Sequence, residues 1–508
     1  MELEFEREAM DGYETLAELT LCQEETQETI VPDACPDILR IVEVCGQAFL
    51  GEKQVKEGSG TVTGTVRAVV LYRPEGGGGL CRMEAEVPFT VQAELPGLTE
   101  QGKLVACPRL KRADARVLNP RKVLLRVELA VELTACQPIH RELCRAVNGA
   151  EEQAICQKQT TYEHYCLCAV EEKPFVFEDQ IRLKSGQGEN LRLMDSRVQT
   201  LCTESRRIGN KLIFKGNAEV YLLLLAPDGG LTACRETLPF SQVLELGDGG
   251  EEGDCRITVD VLSFRCAPDL DDRQCMEVEL ELLAQAQVYR HRTMTVLRDL
   301  YSTARLTECE TELCPLCHRE EDSVLPQSSR ELLETGEGVR GVVDSTLCLG
   351  EVSQRREGRE LILSAEARIT VLYLDESEEL RTGEGTFPVI CRMGASEGAR
   401  CSCRCVCPGE VYAAPAAGGI EVRFNVEFHC LTTGTEELSV IATARLGEER
   451  SSGGGERPSV VLRLAAPGEG LWEIAKNYGT TTEQILRANE LDSDRLPLGA
   501  MLLIPSAG

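Results

Sequence analysis

Hydrophobic residues occupy every second position in three stretches of this chain, and the stretches recur at nearly constant intervals. From Gly64 the apolar positions are Val66, Ala68, Val70 and Tyr72; from Gly216 they are Ala218, Val220, Leu222 and Leu224; from Ala365 they are Ala367, Ile369, Val371 and Tyr373. The intervals between the anchors are 216 − 64 = 152 and 365 − 216 = 149 residues. A period of two places these side chains on one face of a strand, as a half-buried sheet requires. Each run ends in a turn: Arg73-Pro74-Glu75-Gly76-Gly77, Ala226-Pro227-Asp228-Gly229-Gly230 and Asp375-Glu376-Ser377-Glu378. A second strand then closes on Pro88-Phe89, Pro239-Phe240 and the inverted Phe387-Pro388.

A longer alternating element completes each copy. It carries Val123, Leu125, Val127, Leu129, Val131 and Leu133; then Met276, Val278, Leu280 and Leu282; then Ile420, Val422, Phe424, Val426 and Phe428. Glu128, Glu132, Glu277, Glu279, Glu281, Glu421 and Glu427 fall on the opposite face, where water is the expected environment. Long helical periodicity is missing from all three copies. The pattern predicts a mainly β protein of three tandem antiparallel β-sandwich-like domains, strung in series, over residues 1–140, 160–298 and 340–446. Alternation lapses over 136–162 and 300–340, which read as connectors. The run Gly-Glu-Glu-Arg-Ser-Ser-Gly-Gly-Gly-Glu-Arg-Pro marks a flexible linker over 447–459.

Residues 460–506 change in kind. Leu471, Ile474, Ala475 and Tyr478 share one helix face, and Gly479 stands at its C-terminal stop. Thr481 and Gln484 have capping-box spacing for a second helix, and Met501 to Ile504 supplies a returning strand against Val460 to Leu464. This βααβ unit, with Pro467-Gly468-Glu469-Gly470-Leu471-Trp472 at its first turn and Leu496-Pro497-Leu498-Gly499 before its last strand, resembles a LysM domain. Before the Leu-Trp pair the family usually has an acidic residue and then Ser or Thr; here they are Glu469 and Gly470, and the departure at Gly470 leaves the poorer cap. The resemblance implies a shallow groove that takes peptidoglycan or N-acetylglucosamine oligomers, or a protein partner. Its walls would be Gly468, Glu469, Gly470 and Leu471 on one side and Asn489, Leu491, Asp492 and Pro497 on the other. The plainer reading has Leu471 and Trp472 filling the small core and Gly468 turning the chain.

Near the start stands Ile30-Val31-Pro32-Asp33-Ala34-Cys35-Pro36-Asp37-Ile38. This Val-Pro-Asp and Pro-Asp-Ile run, followed by the repeated strands, resembles the SPOCS family of spore-forming Firmicutes. Glu178-Asp179-Gln180-Ile181 and Val324-Leu325-Pro326-Gln327 stand in for it in the later copies. SPOCS repeats with a C-terminal LysM domain are similar to the clostridial spore-coat morphogenetic proteins. That resemblance implies a scaffold in the mother-cell cytoplasm, at the forespore surface and in the spore coat. Its implied partners are the coat-basement ATPase of the stage IV sporulation protein A type and other coat proteins. As a contact-free alternative, the Pro-Asp motif reads as a proline-stiffened turn entering a strand.

Charge narrows the partners. A formal net charge of −30 repels nucleic acid and anionic lipid, so neither nucleic-acid binding nor direct membrane insertion is expected. The apolar run Val220 to Ala226 is far short of a membrane span and reads as a strand. Glu2, Glu4, Glu6 and Glu8 are the reverse of a basic signal-peptide start, which fits a cytoplasmic protein. The 25 cysteines, an odd number spread over 508 residues, read as mainly reduced thiols rather than a disulfide framework.

Cys309, Cys314, Cys317 and His318 are the candidate zinc ligands, although a second close pair is missing. Cys314-Pro315-Leu316-Cys317-His318 also has the spacing of covalent haem attachment, chemistry that occurs outside the cytoplasm. No cofactor is expected. Cys401, Cys403, Cys405 and Cys407 would point to one side of a strand, as a buried thiol face or a place for crosslinking. The five histidines belong to no nucleophile, metalloprotease or phosphate-loop motif, so the chain is read as no enzyme.

Overall fold

The computed structural model describes residues 1–183, 191–247, 253–269, 272, 274–336, 338–450, 460–466, 468–493, 496, 499 and 501–505. In the first module β1 (Phe5–Ile30), β2 (Ile38–Lys56), β3 (Ser59–Pro74), β4 (Cys81–Glu94), β5 (Lys103–Asn119) and β6 (Lys122–Val147) form two antiparallel sheets. The sheet β2–β3–β4 faces the layer β1–β6–β5. Between them lie the alternating residues expected from sequence: Val66, Ala68, Val70 and Tyr72 from β3, and Val123 through Leu133 from β6. The second module repeats this order with β7 (Ile155–Arg182), β8 (Arg192–Ile208), β9 (Lys211–Leu225), β10 (Leu231–Glu245), β11 (Asp254–Pro268) and β12 (Cys275–Ser302). The third does so with β13 (Arg305–Glu334), β14 (Val339–Leu349), β15 (Ser353–Glu357), β16 (Glu360–Asp375), β17 (Leu380–Gly394), β18 (Arg400–Val406), β19 (Tyr412–Ala416) and β20 (Gly419–Glu449). There β14 and β15 pair with β16, and β18 and β19 pair with β20.

The inverted Phe-Pro of the third copy has a steric cause. Gly64 lies opposite Phe89 and Gly216 opposite Phe240. A Cβ on either glycine would come within 2.4 Å of the facing ring. In the third copy the aromatic sits two residues earlier, so Val389 faces position 365 and alanine fits there. The Phe387 ring covers Gly385 instead.

The stretches 136–162 and 300–340, expected to be connectors, are largely strand. β1 pairs with β6 from Ile30↔Lys122 to Phe5↔Val147; β7 and β12 pair as far as Ile155↔Ser302; β13 and β20 pair as far as Arg305↔Glu449. The second halves of these hairpins leave the sandwiches and pack together as a three-hairpin stalk. Its core is narrow: Met10, Leu143, Met294, Val296, Cys314, Leu316, Leu438 and Val440, then Leu3, Val147, Ile155, Leu300 and Leu446 towards the tip. Most other stalk side chains meet water, as Glu308, Glu310 and Glu312 do. Register shifts at Thr15/Ala17, Leu297/Asp299, Glu310/Thr311 and Arg319/Glu321 reverse which face looks inward. Together these break the period-two signal.

The modules close on one another instead of running in series. Arg82 donates to the Leu193 carbonyl at 3.0 Å, joining the first module to the second. β10 packs on β14, and β17 packs back on β2, where Thr382 donates to the Val42 carbonyl at 2.8 Å. Val42, Met194 and Val343 meet at the centre with Leu71, Leu223 and Leu372. Both sets repeat the spacing of the anchors: 194 − 42 = 152 and 343 − 194 = 149; 223 − 71 = 152 and 372 − 223 = 149. This is a pseudo-threefold axis within one chain.

Beside that apolar knot lies a charged cluster. Glu43, Asp195 and Asp344 are again equivalent, and each follows a register shift in its hairpin. Arg197 reaches Asp195 at 2.8 Å and Asp344 at 2.5 Å, and also contacts Thr346. Glu43 is buried, and its Oε2 has no hydrogen-bond partner. Burial, with Asp344 and Asp195 adding to it against Arg197, pushes its carboxyl up to about 8.

Candidate docking site: the C-terminal module on the stalk tip

The last module consists of β21 (Val460–Leu464), α1 (Leu471–Tyr478), α2 (Thr482–Ala488) and β22 (Met501–Pro505). β21 and β22 pair antiparallel from Val460↔Pro505 to Leu464↔Met501. The Gly470 cap offers α1 no side-chain hydrogen bond. Gly479 ends the helix in the left-handed conformation at φ 66°, where glycine meets no Cβ penalty. Thr481 and Gln484 form a complete capping box on α2. Leu471, Ile474, Ala475, Ile485, Leu502 and Ile504 make the core, as the helical spacing predicts for the first three. Residues 451–459, most of the expected linker, lie outside the described residues.

Trp472 packs half-buried at the edge of that core instead of filling its centre. It faces the stalk: its Nε1–H donates to Asp299 Oδ2 at 2.7 Å, and its ring stands edge-on to Tyr301 at 4.9 Å. Lys476 donates to the other Asp299 oxygen at 2.6 Å, and Lys158 lies 3.5 Å from Glu473. The Tyr301 hydroxyl donates to the Thr480 carbonyl at 2.8 Å; burial, then Cys156, pushes this phenol up, so it stays a donor. Arg450 closes the contact by donating to the Lys476 carbonyl at 3.2 Å. The register shift at Leu297/Asp299 re-aims Asp299 towards α1. Sequence reasoning missed this seat. Its one signal was an indole placed off the Leu471/Ile474/Ala475 face.

The groove residues divide by role. Glu469 accepts from Arg463 at 2.6 Å and from the Ala466 N–H at 3.2 Å, so its carboxylate is committed to the turn. Asn489 donates to the Ile485 and Leu503 carbonyls and accepts from the Leu503 N–H, each at 2.7 Å, tying α2 to β22. Leu471 is buried, and Leu491 packs against the core. Gly468, exposed at φ 82°, and exposed Asp492 remain open, with Gly470 half-buried between them and the helix. Pro497 lies outside the described residues. On the outer face of the β21–β22 ribbon, Val460, Leu462, Leu464, Met501 and Leu503 are exposed, Leu462 and Met501 at 65% and 68%.

The other candidates resolve locally. Arg121 clamps the Pro-Asp turn, donating to the carbonyls of Val31, Pro32 and Cys35 and to the Asp37 carboxylate. The segments 178–181 and 324–327, read as its counterparts, lie within β7 and β13. The positions level with the motif in the second module, 184–190, lie outside the described residues. Glu132 is held by Arg109 and Arg404 rather than by water; they keep its carboxyl below the usual range despite burial. Cys309, Cys314, Cys317 and His318 are strung along β13. Cys309 contacts the Leu300 carbonyl, Cys314 sits in the stalk core, Cys317 lies beside Thr435 and His318 against Tyr162. Among the described residues no three His, Cys, Asp or Glu side chains gather as a metal site. Cys401, Cys405 and Cys407 are buried in the third core, giving the thiol-lined face that their spacing predicts.

The fold and its seat thus define a closed β-sandwich scaffold carrying a small βααβ module. The model described as SipL, SPOCS domain, matches residues 37–118, and the LysM domain model matches residues 466–505. The chain therefore carries a SipL-type SPOCS domain and a C-terminal LysM domain. Both are binding or scaffold domains, and neither family is catalytic. The SPOCS match points to spore-coat morphogenesis and coat-protein interactions, the LysM match to peptidoglycan binding. Comparison with curated proteins and with solved structures returned no match. Among the described residues, no helix is long and apolar enough to cross a membrane.

Proposed function

We propose that this chain is a non-enzymatic scaffold and adaptor of spore-coat assembly. It acts from the mother-cell side of the forespore, docking through its LysM domain to a coat-basement ATPase of the stage IV sporulation protein A type. The proposal takes the second and third modules as further SPOCS copies and keeps the division into three modules, a linker and a LysM domain over 460–506, with the linker, expected over 447–459, starting only after β20 ends at Glu449. Module edges are drawn at the hairpin ends: 5–147, 155–302 and 305–449. One observation carries the docking role: the outer face of β21–β22 is apolar and uncovered, while α1 is already spent on the stalk. An exposed apolar patch of this kind on an acidic protein is the usual mark of a protein interface. Three modules presenting separate faces add avidity for other coat proteins.

The test is a pull-down of purified basement ATPase by the full chain and by Leu462→Glu and Met501→Glu variants. Binding should fall at least about tenfold, the equivalent of about 1.4 kcal/mol, with Trp472 emission unchanged. Undiminished binding by both variants would refute the role. The alternative is a cell-wall protein binding peptidoglycan or N-acetylglucosamine oligomers. It is favoured by Gly468, whose exposed backbone has, among the described residues and its chain neighbours aside, no heavy atom within 4 Å of the position of a Cβ. Cosedimentation of the full chain with peptidoglycan, lost on Gly468→Val, would support that reading instead.

A further inference from the structure

We propose that Cys403 and Cys430 form a reversible disulfide staple, with Cys403 the thiol at which a peroxide enters. The two residues are directly opposed across the β18–β20 ladder. Opposed Cα atoms in an antiparallel pair lie about 4.5–5.5 Å apart, inside the range a disulfide spans. Their sulfurs are already 3.1 Å apart, so bond formation needs no backbone movement. Cys401, two residues along, faces Thr432 in the same ladder.

Exposure sets the order of events. Cys403 is half-buried on the wall of a cleft of about 720 Å³, whereas Cys430 is fully buried behind it. Contact with Cys401 pulls the Cys430 thiol down, but Cys403 and burial push it further up, to about 12. It therefore stays protonated until a partner sulfur is activated. Five carboxylates line the cleft against three arginines. That balance favours a small uncharged oxidant such as hydrogen peroxide over an anionic disulfide. Peroxide oxidises the Cys403 thiol to a sulfenic acid and leaves as water. The Cys430 sulfur then attacks, forming the S–S bond and releasing a second water. In sum, two thiols and one peroxide give one disulfide and two waters. Exogenous thiol restores both groups by exchange. The bond would pin the edge strand β18, only seven residues long, to β20.

The test is peptide mapping of the full chain, without reduction, after titration with hydrogen peroxide. Trypsin places Cys430 alone on 424–445, and Cys401 with Cys403 on 401–404. The linked pair should form first among all cysteines, with fragment ions placing the bond at Cys403, and it should vanish on adding dithiothreitol. In Cys401→Ser the link should persist; in Cys430→Ser dimedone should label Cys403 instead. If other cysteines are oxidised while this pair stays unlinked in the unaltered chain, the proposal is wrong. A bond at Cys401, or dimedone label on Cys430, would overturn it equally.

Discussion

Glu43→Gln should stabilise this protein above neutral pH and leave it nearly unchanged in mild acid. The folded carboxyl stands at about 8, against an ordinary 4.5. The folded state therefore binds its proton more tightly than the unfolded chain does. Stability from this group is fully present below about pH 4.5 and is lost as pH rises through about 8. Between those limits the loss runs at about 1.4 kcal/mol per pH unit. At pH 7 the ionisable side chain thus costs the fold roughly 3 kcal/mol relative to its neutral amide, and about 5 kcal/mol above pH 8. The groups facing it are Asp344, Asp195, Arg197 and Cys45, and glutamine keeps the shape that packs among them. Urea midpoints from pH 5 to 9 measure the effect: the unaltered chain should weaken across that range while the variant does so far less. Parallel profiles for the two proteins would refute the reasoning.

Asp299→Ala removes the acceptor of both Trp472 and Lys476. It should weaken LysM docking by on the order of 2–3 kcal/mol, seen as red-shifted, more readily quenched emission from the chain's single tryptophan; unchanged emission would deny that this seat holds. Gly216→Ala drives a methyl into the Phe240 ring and should cost about 1–3 kcal/mol by urea denaturation, whereas Ala365→Gly should cost no more than about 1 kcal/mol. Thr481→Ala breaks the capping box and should lower the stability of α2 by about 1 kcal/mol, read as faster amide exchange at Gln484 and Ile485.

The sandwich strands were legible because each buries one face against a broad core. Val66 to Tyr72, Ala218 to Leu224 and Ala367 to Tyr373 keep their period unbroken for that reason. The LysM helices were legible through local chemistry, Gly479 at one end and Thr481 with Gln484 at the other. The stalk was not: its core takes few residues from each strand, and bulges reverse the inward face partway along. Ring closure was hidden for a different cause. It rests on contacts such as Arg82 to Leu193 and Thr382 to Val42, which leave no periodic trace. Glu43, Asp195 and Asp344 did carry the repeat spacing, but isolated acids on strands read as solvated side chains.

The axial cluster bears on why the three modules share one chain. A symmetric trimer of identical subunits must put the same residue at each equivalent site, so an arginine near its axis appears three times or not at all. Here Cys45, Arg197 and Thr346 occupy those sites, and the arginine pairs with two of the three acids, Asp195 and Asp344. Fusion into a single polypeptide frees the centre from integer symmetry, and it lets the three outward faces diverge to suit unlike neighbours.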